Sequence, residues 1–153
     1  MLQPTQTDLA FYVNVYHDVD CLTECLTRLR EIYPRSRLIL RADGDPNPAI
    51  ARIAQEYNGE SYSGERLFTI DKGGAIVHEM LRLFLSANET AYLFKIDPDT
   101  RIVRPFEALP TLPCVFARCN IRESFFRFRA VVSVLRSISR ENCILPIFSS
   151  ILP

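Results

Sequence analysis

The sequence predicts an α/β fold, a doubly wound, mostly parallel sheet with flanking helices, on three observations. Short apolar runs of strand length alternate with stretches whose apolar residues recur at helical spacing. Parallel neighbours need crossover helices, and that alternation supplies them. Polar clusters follow three of the apolar runs, where such sheets place their ligands, beyond the carboxyl ends of the strands.

Leu9 to Tyr16 is an apolar, aromatic and β-branched run closed by His17-Asp18, and it reads as the first strand. Asp20 stands where an N-cap belongs. Leu22, Cys25, Leu26, Leu29 and Ile32 then recur at helical spacing, Glu24 and Arg28 can pair on the solvent side, and Pro34 ends this helix. Leu38-Ile39-Leu40 is a short buried strand running into the turn-rich Ala42-Asp43-Gly44-Asp45. A second helix follows, with Asn47 as cap, Pro48 at its first position, Ile50, Ile53, Ala54 and Tyr57 on one face, and Gly59 at its end. After a loop through Tyr62 and Gly64, Leu67-Phe68-Thr69-Ile70 reads as a brief strand. Asp71-Lys72-Gly73-Gly74 opens a third helix with Ile76, Val77, Met80, Leu81, Phe84 and Leu85 inward. Ala91 to Ile96 is the fourth strand, and it delivers Asp97-Pro98-Asp99-Thr100 into a loop.

Composition bounds the function. A chain of 153 residues is one ordinary domain's worth, 48% hydrophobic and 24% charged, with no apolar run near the roughly 18–20 residues of a membrane span. Met1 to Asp8 has no basic residue and no apolar core of a signal peptide, so a cytoplasmic protein is expected. The odd set Cys21, Cys25, Cys114, Cys119 and Cys143 matches no zinc or redox spacing; Cys21 and Cys25 read as small apolar residues sharing a helix face. Net charge is zero, yet residues 117–153 carry six arginines against two glutamates, a net of +4, leaving −4 on the remainder. An acidic front half argues against a nucleic-acid platform, which displaces phosphate counterions with clustered Lys and Arg.

Four motifs carry possible chemistry. Asp97 and Asp99, one residue apart at a strand end, can offer hard oxygens to Mg²⁺ or Mn²⁺, which bridges diphosphate oxygens; they equally suit a surface Asp-Pro turn. Asp43 and Asp45 are either ligand-facing carboxylates or turn formers. His17, with Tyr16, is either a site residue or a strand-end histidine. Lys72-Gly73-Gly74 can set a cation and backbone N–H groups near a phosphate at a helix N-terminus, or be a glycine turn with a solvated lysine; it lacks the P-loop frame. No Gly-x-Gly-x-x-Gly follows the first strand, which excludes a dinucleotide dehydrogenase. A haloacid-dehalogenase-type phosphatase expects Thr or Val where Arg101 stands.

The order of polar strand end, helix, strand with Asp43-Gly44-Asp45, helix, Lys72-Gly73-Gly74, helix, and hydrophobic strand with Asp97-x-Asp99 resembles the first half of the nucleotide-diphospho-sugar transferases, the GT-A-fold, family-2-like glycosyltransferases. The resemblance covers about residues 9 to 110. It implies transfer of a sugar from a UDP- or GDP-type donor to an acceptor hydroxyl with a divalent metal, Mn or Mg. It also implies that Tyr16 and His17 edge the base, that Asp43, with Asp45 beside it, binds base or ribose, and that Lys72 lies near the nucleotide. Asp97 and Asp99 would hold ribose and metal-diphosphate. Ala42-Asp43-Gly44-Asp45 departs from the family's Asp-Asp/Asn-Gly-Ser. The carboxylate that deprotonates the acceptor in an inverting enzyme is not found, so the catalytic residue is unknown and the acceptor undefined.

Two regions are expected, a nucleotide-sugar-binding half domain over 1–116 and an atypical tail over 117–153. The tail contains no Lys, Asp or Gly, and all five glycines lie at or before Gly74, which is odd for the second half of a doubly wound fold. A frameshift at Ala117 accounts for this: in the shifted frame Arg118-Cys119-Asn120-Ile121-Arg122-Glu123 can encode Lys-Val-Gln-His-Pro-Gly. A divergent tail with an amphipathic helix through Phe125 to Ile138 is the alternative. Loss of the later strands would leave an unpaired sheet edge and favour self-association. On this reading the transferase is incomplete as written; the alternative is a non-catalytic nucleotide-sugar-binding remnant or an inactive truncated product.

Overall fold

The computed structural model describes residues 8–67, 69, 72–86, 90, 92–106 and the backbone of 117–118 and 133–136. Four parallel strands, β1 (Leu9–Val15), β2 (Arg37–Asp43), β3 (Glu60–Gly64) and β4 (Tyr92–Ile96), alternate with helices α1 (Val19–Ile32), α2 (Pro48–Glu56) and α3 (Gly73–Leu85). Two short strands follow, β5 (Ala117–Arg118) and β6 (Ser133–Arg136), in the sheet order β3-β2-β1-β4-β6-β5. β6 runs antiparallel to β4, so the β4 edge expected to be unpaired is covered, and Ser133–Arg136 is strand where the alternative tail reading put helix.

Chirality explains the two layers. The crossovers β1-α1-β2 and β2-α2-β3 step one way across the sheet and the next steps back over β2 and β1 to β4, so right-handed connections put α1 and α2 on one face and α3 on the other. Packing agrees. Leu9, Phe11, Val13 and Val15 join Leu22, Leu26, Leu29, Ile50 and Ile53 in one core, whereas Ala10, Tyr12, Ile39 and Leu93 join Met80, Leu83 and Phe84 in the other. A strand buried on both faces reads as a continuous apolar run, which is why β1 was legible.

The α1/α2 face stays apolar to the strand ends, with Val15, Ala42 and Ile96 all buried. The α3 face does not: by strand alternation Asn14, Arg41, Asp43 and Lys95 follow Tyr12, Ile39 and Leu93 on it, so it turns polar toward the carboxyl ends. Asn47 caps α2 by accepting from the Ala49 N–H at 3.0 Å, with Pro48 first in the helix. At its other end Asn58 takes the left-handed conformation (φ 50°), and Gly59 N–H and Asn58 N–H donate to Ala54 O and Gln55 O in a Schellman closure. The carbonyls of Leu83 and Phe84 that end α3 accept from Arg37, which also forms a forked pair with Glu60.

Several local expectations need correction. α1 begins at Val19 after Asp18, which places Asp20 in the first turn, where its charge suits the helix dipole, instead of at the cap. Arg28 pairs with Glu31, not Glu24. The third strand is the polar Glu60–Gly64. An edge strand exposes one rim, so its side chains need not be apolar; Leu67 is buried but lies outside any strand, and Thr69 N–H closes a tight turn to Leu67 O. Phe68 and Ile70 lie outside the described residues. On α3, Leu83 is buried and Leu85 is exposed, because the helix rests on the sheet through Met80, Leu83 and Phe84. Among the described residues no helix is long and apolar enough to cross a membrane.

Candidate functional site

Strand order reverses between β1 and β4, since the chain builds outward from β1 through β2 to β3 and then returns to β4 on β1's other side. The carboxyl ends of β2, β1 and β4 are therefore neighbours at the position where open α/β sheets bind ligands. Two adjoining clefts lie on the β2/β3 side of that point. The first, about 420 Å³, is lined by Tyr16, Gly44, Asp45, Ser63, Glu65 and Arg66. The second, about 490 Å³, lies between Arg41 and the start of α3 and is lined by Gly74, Ala75, His78 and Glu79, with Gly64 and Glu65 shared. Both fall within the roughly 300–1,000 Å³ of small-molecule sites.

Glycine geometry shapes the cleft floor. Gly44 has φ +127°, a backbone region closed to side chains, and its N–H donates to Gly64 O at 3.0 Å, which ties the ends of β2 and β3 together. A Cβ on Gly64 would lie 3.1 Å from Arg41 Nη2, so a side chain there would crowd the guanidinium.

Tyr16 is exposed, with the His17 ring 3.6 Å from its own (centroid to centroid) and the Arg66 guanidinium 4.1 Å above its face; Arg66 Nη1 also donates to the Tyr16 hydroxyl at 3.3 Å. This cation–π pair joins residues fifty positions apart and was not foreseen from sequence. Asp45 is exposed in the same cleft. Asp43 differs: it ends β2 as strand, not turn, and is buried, its Oδ1 accepting from Arg41 Nη1 at 2.7 Å and from Leu67 N–H at 2.8 Å. Arg41, equally buried, also donates to Asn14 Oδ1 and Glu65 O, while its Nε has no partner among the described residues. The sequence signal for that pair was a charge inside an otherwise apolar strand. Lys72 reaches the cleft rim indirectly, donating to Glu65 Oε2 at 3.2 Å and Arg66 O at 3.4 Å.

Asp97 and Asp99 line neither cleft and stand at the end of β4 beside α1. Their turn is closed twice, Thr100 N–H donating to Asp97 O at 2.9 Å and Asp97 N–H to Thr100 Oγ1 at 3.0 Å. Lys95 Nζ neutralises Asp97 at 2.5 Å, and Asp99 is exposed with no hydrogen bond or ion pair among the described residues. Among those residues no three of His, Cys, Asp and Glu group as a metal cluster. The exposed Asp99 carboxylate offers the hard oxygens that suit Mg²⁺ or Mn²⁺, which keep waters and take ligands from substrate phosphates instead of an all-protein cage, whereas Asp97 already has Lys95 as its counter-ion.

Cys25 packs behind this turn, its thiol 3.9 Å from Asp97 O and pushed up to about 12, first by burial and then by the charges of Asp99, Asp97 and Glu24. Cys21, one turn earlier, is exposed, so the two cysteines do not share the buried face as expected. Thiolate is the reactive form, so iodoacetamide at pH 8 is expected to alkylate Cys21 in the folded protein and to spare Cys25 until denaturant is added. Peptide mass mapping reads both sites; equal labelling rates would mean that the turn opens from α1.

No family model matches the chain. No curated protein matches it either. Among solved structures the chain is similar to core-mannan synthase A from Aspergillus fumigatus, in a Mn/GDP form, at 12% identity and a TM-score of 0.41. The likeness covers 61% of this chain and 35% of that one, so the chain spans about a third of that protein's length. A superposition of this quality transfers neither substrate nor site residues.

Proposed function

We propose that this chain binds a nucleotide-diphospho-sugar of UDP or GDP type and belongs to a metal-assisted glycosyltransferase. The observation that supports the reading is that strand order reverses between β1 and β4, with an exposed aromatic pair just after β1, a glycine-floored cleft with Asp45 just after β2, and the Asp97-Pro98-Asp99 turn just after β4. In this reading Tyr16 and His17 present a flat apolar edge to the base, and Arg66 closes over it. Asp45 lies toward base and ribose, and Lys72 contributes positive charge at the rim; Asp43, expected to bind base or ribose, is instead fully buried against Arg41 and the Leu67 N–H and supports the cleft from beneath. Asp97 and Asp99 would hold the divalent metal, which when bound neutralises diphosphate charge as the sugar leaves. Lys95 pairs with the Asp97 carboxylate and Thr100 Oγ1 accepts from the Asp97 N–H, which together hold Asp97 in place. No residue is assigned the deprotonation of the acceptor.

The test is calorimetric titration of UDP and GDP with Mn²⁺ or EDTA, on the unaltered chain and on Asp99→Asn. Because loss of a group merely supporting a metal ligand costs about 10–100-fold in affinity, loss of a ligand is expected to weaken Mn²⁺-dependent binding by at least about tenfold. Equal binding with EDTA and in Asp99→Asn overturns the reading. Binding without sugar transfer, in an assay of donor breakdown against simple sugar acceptors, assigns the chain to the non-catalytic alternative.

A further inference from the structure

We propose that Arg28 of α1 is the positioning residue for the Asp97-Pro98-Asp99 turn, an inference that rests on the nucleotide-diphosphate reading of that turn. The Lys95–Asp97 pair ties the start of the turn to β4 and the turn's internal hydrogen bonds fix its shape, but neither fixes the direction of its exit beyond Asp99. Direction is set where the chain is next held. Arg101 is exposed, and immediately after it Arg28 Nε donates to Ile102 O at 3.1 Å while Nη2 donates to Val103 O at 3.0 Å. One planar guanidinium thus grips two successive carbonyls. Its remaining nitrogen, Nη1, meets Glu31 Oε2 at 2.5 Å, which holds the fork in its plane.

Packing alone does not hold this stretch. Ile102 is buried, but Val103 is 62% exposed, so no burial of its side chain fixes the carbonyl that Arg28 takes. Upstream, among the described residues, α1 meets the turn through the long Cys25 thiol contact to Asp97 O. Downstream, Phe106 N–H donates to the Tyr33 hydroxyl at 2.6 Å, eight residues past Pro98. The Arg28 fork is therefore the hydrogen-bonded anchor nearest to Asp99 on its C-terminal side among the described residues.

Exposure separates positioning from stability. The side chains of Arg28 and Glu31 are 42% and 55% exposed, and ion pairs this wet add little to folding. Misplacing a reacting or binding group by 1 Å, by contrast, can cost about 10²-fold. Loss of Arg28 should therefore barely lower the thermal midpoint and should loosen the ligand site.

The experiment uses the whole chain, unaltered and as Arg28→Ala and Arg28→Lys. Electron paramagnetic resonance measures free Mn²⁺ as UDP or GDP is added, and hydrogen exchange follows the Asp97 and Thr100 amides without ligand. Expected for Arg28→Ala are about tenfold weaker Mn²⁺-nucleotide binding, faster exchange at both amides and a melt within a few degrees of the parent. Arg28→Lys, which keeps the charge but has no fork, is expected to lose binding in the same direction and to a lesser degree. Unchanged binding in both variants overturns the positioning role, whatever the amides do. If the unaltered chain binds Mn²⁺-nucleotide and Asp99→Asn does not, that failure belongs to Arg28 alone; if the unaltered chain does not bind, the nucleotide reading and the positioning role both fall.

Discussion

Replacing Asp43 with alanine is expected to destabilise the fold by about 3–5 kcal/mol, the usual cost of leaving one partner of a buried ion pair uncompensated. The side chains of Arg41 and Asp43 are 2% and 0% exposed and 2.7 Å apart. Alanine would strand a desolvated guanidinium and also remove the acceptor of the Leu67 N–H, a second buried group left unpaired. Domains of this size hold only about 5–15 kcal/mol in total, so the variant should sit near its unfolding threshold at 37 °C. Urea unfolding monitored by circular dichroism measures the loss. Arg41→Met combined with Asp43→Leu is expected to recover the part due to the stranded guanidinium, since an apolar pair needs no counter-charge, but not the part due to the Leu67 N–H, which still lacks its acceptor. A loss under about 1 kcal/mol for Asp43→Ala would mean that water reaches the pair, against its complete burial.

Phe94→Ala is expected to cost about 3–5 kcal/mol as well, on the opposite face of the sheet. Phe94 is 1% exposed and lies between Phe11, with ring centroids 5.3 Å apart, and Phe106, at 4.6 Å and 12° between planes. Tyr33 contacts both of these partners, tilted on Phe11 at 5.3 Å and stacked on Phe106 at 5.6 Å, so removal of Phe94 opens a void in a four-ring cluster that strands cannot collapse to fill. The consequence reaches the site, because Phe106 lies on the segment that leaves Asp99. Phe94→Leu, which keeps most of the volume, is expected to lose roughly 1–2 kcal/mol, the size of the aromatic contacts plus a small repacking cost. Chemical denaturation with an unchanged m-value checks both. The Asp43 and Phe94 substitutions share no contact, so their combined effect should be close to the sum.

Local patterns carried the fold. Leu9 to Val15, the α1 and α2 faces, the Asn47-Pro48 start and the Ala91–Ile96 run were legible because hydrophobic period and capping chemistry act over a few residues. The sequence could not show that Glu60–Gly64 is a strand: its hydrogen bonds come from β2, and at an edge no apolar pattern is required. It placed Asp43 at a strand end but not in the core, since its partner Arg41 is meaningful only once both lie beneath the cleft.

The candidate site divides in the same way. Asp97 and Asp99 were singled out by their spacing after a buried strand, and Tyr16, His17 and Asp45 by their places after apolar runs. Arg66 over Tyr16 and Arg28 on the carbonyls of Ile102 and Val103 were invisible, because each contact spans fifty residues or more of chain. What the sequence determined by itself was the alternation of elements and the residues at their ends. What only the tertiary structure decided was which ends face one another. Strand order and the hand of the crossovers set those distances, and long cations then find carbonyls and rings that no local rule pairs with them.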